Sequence, residues 1–128
     1  MGGTSKVWWG HMPPATPNAP IHYRVTATLP DDATCVDYLK WLSSGHLLAV
    51  IRAGARSACA TRVLEPASPL RVESHYLFPT LDAFQSYQTN AAPTLRAEGV
   101  RLFSPRGVTF ERHLSMVEAQ IPDAGSRA

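Results

Sequence analysis

No apolar stretch of this 128-residue sequence approaches the ~20 consecutive residues that a membrane-spanning helix needs, so no membrane partner is expected. Basic runs are missing too. Twelve Lys and Arg against ten Asp and Glu leave a formal charge of +2, with the cations scattered, and nucleic acid is not an expected partner. Cysteine is scarce: Cys35 and Cys59 have neither CxxC nor metal-ligand spacing, which reads as reduced thiols in a bacterial-type cytoplasm. The opening residues lack the basic-then-apolar pattern of a secretory signal, which agrees with a cytoplasmic setting. Nothing has the form of a nucleophile elbow, a phosphate loop or a zinc knuckle. Nucleophilic hydrolysis, nucleotide binding and structural zinc are thereby set aside, and neither a metal nor a cofactor is expected.

What is present suffices for one domain with one modest core. Residues 1–20 are rich in Gly and Pro without periodicity and read as an extended arm, in which the adjacent Trp8 and Trp9 want a surface to lie on. Residues 119–128 read as a polar tail. Between them, residues 21–118 are expected to form the folded domain.

That domain opens with strict alternation. Ile21, Tyr23, Val25, Ala27 and Leu29 oppose His22, Arg24, Thr26 and Thr28, the pattern of a half-buried strand. After Pro30, Asp31 or Asp32 suits a helix cap, and Cys35, Leu39 and Leu42 recur at helical spacing. Gly45 reads as a left-handed helix terminator, with a short helix following it to Gly54. Residues 55–65 and 70–78 read as the second and third strands. Pro79 and Thr80 open another helix, with Leu81, Phe84, Tyr87 and Ala91 on its stripe. Pro93 fits only the first turn of a helix, so this segment reads as two helical pieces meeting at a kink, with Asn90 as the cap of the second. The second piece is expected to bury Leu95, Leu102 and Phe103 and to expose Arg96, Glu98 and Arg101. Residues 107–117 alternate as a fourth strand, in which Arg112 falls on the apolar side.

The order β-α-β-β-α-β is the ferredoxin-like arrangement, an α+β fold with one four-stranded antiparallel sheet, here expected in the order 4-1-3-2. Two helices cover one face only. A second copy is the economical cover for the other, which predicts a homodimer.

Five segments sharpen this reading: "YRVT" at 23–26, "WLSSGHL" at 41–47, "HYLF" at 75–78, "YQTNAAPTLRAEGVRLF" at 87–103 and "VTFERHL" at 108–114. Together they resemble the bacterial family called domain of unknown function 4286, with "YxxxxxAPxLRAE" and the downstream "RLF" the most specific part. The resemblance covers residues 21–118 and implies a dimeric α/β barrel. It implies no activity, since related barrels include cofactor-free monooxygenases, polyketide cyclases, lactone isomerases and plain binding proteins. The chain departs from the family pattern at Gly45, where an acidic residue usually precedes the histidine matching His46. It departs again at Arg24 and His75, where smaller or amide side chains are common.

Three groups of residues carry candidate chemistry. His22, Arg24, Glu73, His75, Glu111 and His113 should share the sheet face away from the helices, where they form either a polar dimer layer or a proton-sharing or metal-binding cluster. Tyr87 and His46, with Asn90 nearby, should border the space between sheet and helices and serve as acid–base residues toward a carbonyl compound. Each also has a plain structural role, as core aromatic, helix-start residue and cap. Arg112 needs an anion if it is buried, and Glu98 is the expected partner. Arg112, Glu98 and His75 are also the candidate ligand contacts. The expected function is a small-molecule-handling homodimer, of cofactor-independent isomerase or cyclase type. The alternative is a non-catalytic dimer that binds a metabolite or a protein partner.

Overall fold

Alternation and capping build the domain much as the sequence dictates. The computed structural model describes residues 18–121; Trp8, Trp9 and the rest of the expected arm, with all but the start of the expected tail, lie outside the described residues. Strand β1 spans Ile21–Thr28, and helix α1 follows over Asp32–Trp41. Of the two possible caps the fold uses Asp31, whose carboxylate accepts from the Thr34 N–H at 2.8 Å. That hydrogen bond holds the Asp31 carboxyl below its usual range.

Gly45 corrects the expected helix end. Its backbone is extended (φ 167°) and not left-handed, and the chain continues through a π-helical turn, Leu42–His46, into helix α2 over Leu47–Arg52. The wider turn inserts a residue into the helical path without ending it, which is how π-helical turns often arise at functional positions. His46 is the last residue of that turn. The left-handed stop comes at Gly54, with φ at 131°.

Strands β2 (Ser57–Arg62) and β3 (Arg71–Phe78) follow. β2 is shorter than its sequence pattern suggests. Thr80 caps helix α3 (Leu81–Asn90), its hydroxyl accepting from the Ala83 N–H at 3.1 Å. Helix α4 covers Ala92–Phe103, with Pro93 in its first turn, and β4 closes the domain over Thr109–Met116. The kink is where Pro93 requires it, but the cap is not Asn90. That residue is still helical, and its amide donates back to Ser86 Oγ at 3.2 Å. The cap position therefore falls on Ala91, which has no side-chain oxygen to offer.

The four strands are antiparallel in the order β2-β3-β1-β4, the expected one. Register pairs Tyr23 with Tyr76 and Leu114, and Val25 with Ser74 and Arg112. Inward positions on three neighbouring strands thus carry Tyr23, Val25, Ser74, Tyr76, Phe110 and Arg112. The core over this face has two parts. One is built on Phe78, Phe84 and Tyr87, the other on Tyr38, Leu42 and Phe103. Neither part includes a residue from the opposite sheet face, where His22, Arg24, Glu73, His75, Glu111 and His113 stand together as expected.

Candidate functional site

The two parts of the core do not close completely on each other. Between them lies an open cleft of about 440 Å³, a volume that includes the solvent at its mouth. Tyr23 and Tyr76 rise from its floor, Tyr38 enters from α1 and Tyr87 from α3. These are all four tyrosines in the sequence. Three of the rings pack as a group, Tyr23 against Tyr76 at 5.8 Å and against Tyr87 at 6.1 Å between centroids, while Tyr38 packs against Phe103 at 5.2 Å and Trp41 at 5.8 Å. Burial pushes the Tyr38 and Tyr87 hydroxyls up to about 12 and raises Tyr76 as well. At neutral pH these three are therefore hydrogen-bond donors and not phenolates.

The polar groups of the wall are incompletely satisfied. Ser74 is 1% exposed, yet its hydroxyl makes no hydrogen bond of good geometry. It lies close enough to Tyr38 and Tyr76 to temper the rise of both hydroxyls. Since no full hydrogen bond is lost, Ser74→Ala should leave stability unchanged or raise it by up to ~1 kcal/mol in a urea titration. A loss larger than that would show the hydroxyl to be firmly bonded to a tyrosine.

His46 borders the same space, its Nδ1 buried without a partner. Its ring stacks on Trp41 with centroids 4.1 Å apart and planes at 24°. Burial lowers its pKa to about 4, and the Glu98 charge offsets only part of that fall. Trp41 lies there because Gly99 has no side chain: a Cβ at that position would stand 3.1 Å from the indole Cη2.

Two guanidinium groups complete the wall. Arg96 donates through Nη2 to the Tyr23 hydroxyl at 3.2 Å and to Gln88 Oε1, while its buried Nε has no acceptor. The sequence pattern exposes Arg96, but the kink before α4 turns it inward beside Leu95 and Gly99. Arg112 reaches the wall from β4 and has no side-chain hydrogen bond or ion pair among the described residues. The expected Arg112–Glu98 pair does not form. β4 is an edge strand, so Arg112 keeps contact with water and needs no buried acid. Glu98 lies exposed on α4 and acts on His46 through its charge.

Of the candidate residues, the fold thus brings Tyr87, His46 and Arg112 together at one cavity. Asn90 is exposed on α3 and Glu98 on α4, and neither belongs to the wall. His75 is on the other side of the sheet, where its Nδ1 meets His22 Nε2 at 3.0 Å and its Nε2 meets Glu73 at 3.2 Å. Among the described residues, no three His, Cys, Asp or Glu side chains converge as a metal-binding group. The sequence pattern does not single out Tyr23, Tyr38, Tyr76 or Ser74, and it sets Arg96 on an exposed face, although Ser74, like Arg112, is a polar residue on an inward strand position.

The family model described as Domain of unknown function (DUF4286) matches residues 20–117, nearly the whole described part. The chain belongs to this family. No curated protein matches this DUF4286 domain in sequence. Solved structures of similar fold include a dimeric ferredoxin-like protein from an uncultured marine organism, at 14% identity and a TM-score of 0.59 over 80% of this chain and 99% of the other. A protein of unknown function from Nitrosomonas europaea has 16% identity and a TM-score of 0.58 over 86% and 100%. SnoaB from Streptomyces nogalater, a cofactor-independent oxygenase, has 13% identity and a TM-score of 0.54 over 82% and 99%. Likeness at these identities establishes the ferredoxin-like fold. Among the described residues no helix is long and apolar enough to cross a membrane.

Proposed function

We propose that this DUF4286 domain is a homodimer that takes up a small organic molecule in the cavity between sheet and helices and acts on it by cofactor-independent proton transfer, of isomerase or cyclase type. The observation that carries the reading is the convergence of all four tyrosines, an unpartnered histidine nitrogen and a serine hydroxyl without a well-formed hydrogen bond on one cavity. Unmade hydrogen bonds at buried polar atoms cost stability and are rare without a role. In this reading the Tyr87 hydroxyl, held protonated, donates to a carbonyl oxygen and polarises it. His46, neutral at pH 7, accepts the proton released next to that carbonyl. An imidazole poised near 4 is a weak base, so the imidazolium is sustained only while the anion it created stands beside it. Return of the proton to another carbon completes an isomerisation. The same weak basicity favours a second reading, in which the cavity binds a metabolite without changing it. Cofactor-independent chemistry in SnoaB, which shares the fold, supports the first.

The homodimer rests on the uncovered polar sheet face and on the dimeric ferredoxin-like neighbours. Arg24 on that face has a buried Nε without an acceptor, which a second copy is suited to supply. Native mass spectrometry tests both parts at once. After incubation with a small-molecule extract of bacterial cells, the expected spectrum shows twice the chain mass plus an organic adduct. A monomer mass would sink the dimer, and a bare protein mass after incubation would sink the small-molecule reading.

A further inference from the structure

Resting on that small-molecule reading, we infer that the ligand is a small organic carboxylate, its anionic group held by Arg112 and Arg96 and its planar body lying among the tyrosine rings. The cavity wall carries two guanidinium groups and, among the described residues, no Asp or Glu. Guanidinium cannot shed its proton, so two such groups beside a partly dehydrated space attract an anion and repel a cation. Each has bonding capacity to spare. The Nε of Arg96 is buried with no acceptor, and Arg112 has no hydrogen-bonded or ionic partner among the described residues. Both line the same cavity as Tyr87, and the field of each eases the deprotonation of the Tyr87 hydroxyl. Ser74, 1% exposed and without a hydrogen bond of good geometry, adds a polar group to the same space.

Carboxylate matches the planar fork of guanidinium and can take two parallel N–H donors. The rest of the wall decides the body of the ligand. Tyr23, Tyr76 and Tyr87 offer ring faces and protonated hydroxyls, and Val25, Leu95 and Phe110 are apolar, so a flat, weakly polar skeleton fits. Arg96 is already held by Tyr23 and Gln88, which fixes its direction before the ligand arrives. Arg112 is the free cation of the pair and makes the larger contribution to recognition.

Ligand-observed NMR on the full chain tests this with benzoate and cinnamate, their neutral amides benzamide and cinnamamide, and inorganic phosphate. The carboxylates are expected to bind, the amides to bind at least tenfold more weakly, and affinity to fall as salt is added. Arg112→Met should weaken carboxylate binding roughly ten- to a hundredfold, the effect of losing a charge-assisted contact, and Arg112→Lys should restore part of it. Circular dichroism confirms that both variants are folded. Equal binding of carboxylates and amides would overturn the anion and leave the small-molecule cavity standing. Preference for phosphate over both carboxylates would replace the organic acid by an inorganic or phosphorylated ligand. Binding by none of the five probes would overturn the carboxylate and count against the cavity as a ligand site.

Discussion

Lowering the pH from 7 to 4 is expected to cost the chain about 3 kcal/mol of stability through His46 alone, and a His46→Phe variant is expected to lose that dependence. The His46 ring titrates at about 4 in the fold, against 6.5 for the free side chain. Above pH 6.5 both folded and unfolded states hold a neutral imidazole, and the group contributes nothing to pH dependence. Between 6.5 and about 4 the unfolded chain binds a proton that the folded chain refuses, so stability falls as the pH falls. Below 4 both are protonated and the loss is complete; each pH unit of the gap is worth 1.36 kcal/mol. Glu98 is the acidic group that pulls the other way, and its effect is already contained in the value of about 4. His22, lowered first by its own burial, and Asp31, lowered by its cap hydrogen bond, also destabilise the fold as acid is added. Both remain in the variant, so the difference between the two urea-titration curves isolates His46. Phe keeps a flat ring over Trp41, and any cost of its extra bulk is independent of pH. Parallel curves for the two proteins would mean that the His46 ring is as hydrated as a free one.

The second large effect is expected at Gly99. Its missing side chain lets Trp41 lie against α4, and the indole in turn supports His46. In Gly99→Leu, a branched side chain enters where even a Cβ would stand 3.1 Å from the indole. Trp41 must then move into the cavity or off the His46 ring. Overpacking of this kind costs about 1–3 kcal/mol, offset in part by up to ~1 kcal/mol from replacing a mid-helix glycine. The functional loss should exceed the structural one, with carboxylate binding falling below detection in a variant that still melts cooperatively. Gly99→Ala asks the indole to yield by only a few tenths of an ångström and should retain binding. Undiminished binding by a folded Gly99→Leu chain would place the ligand away from Trp41 and His46.

The scaffold was legible because its signals are local and periodic. Alternation in residues 21–28 and 71–78 assigns the two faces of the sheet, and Asp31, Thr80 and Pro93 mark helix starts by chemistry that needs no distant partner. The site was legible in part. Tyr87 and Arg112 betray themselves as polar groups on apolar stripes, and His46 by its place directly after Gly45. Residues whose roles depend on how one element meets another were harder. Arg96 has the spacing of a surface arginine, and only the redirection of α4 after Ala91 turns it toward Tyr23. Asn90 has the chemistry of a cap, but the helix ends one residue later. The Arg112–Glu98 pair assumed a buried charge, and an edge strand beside an open cavity removed the need for one. One signal was available and unused: all four tyrosines fall on inward positions, Tyr23 and Tyr76 by strand alternation and Tyr38 and Tyr87 on helix faces.

That coincidence supplies the most direct measurement of the central claim. Protein labelled throughout with 3-fluorotyrosine reports four fluorine signals, and every one of them comes from the cavity wall. Titration with benzoate is expected to shift all four signals with a single saturation curve, and the shifts should collapse in Arg112→Met. Signals that stay in place throughout the titration would contradict the account, because no molecule could occupy this cavity without touching the rings that form it.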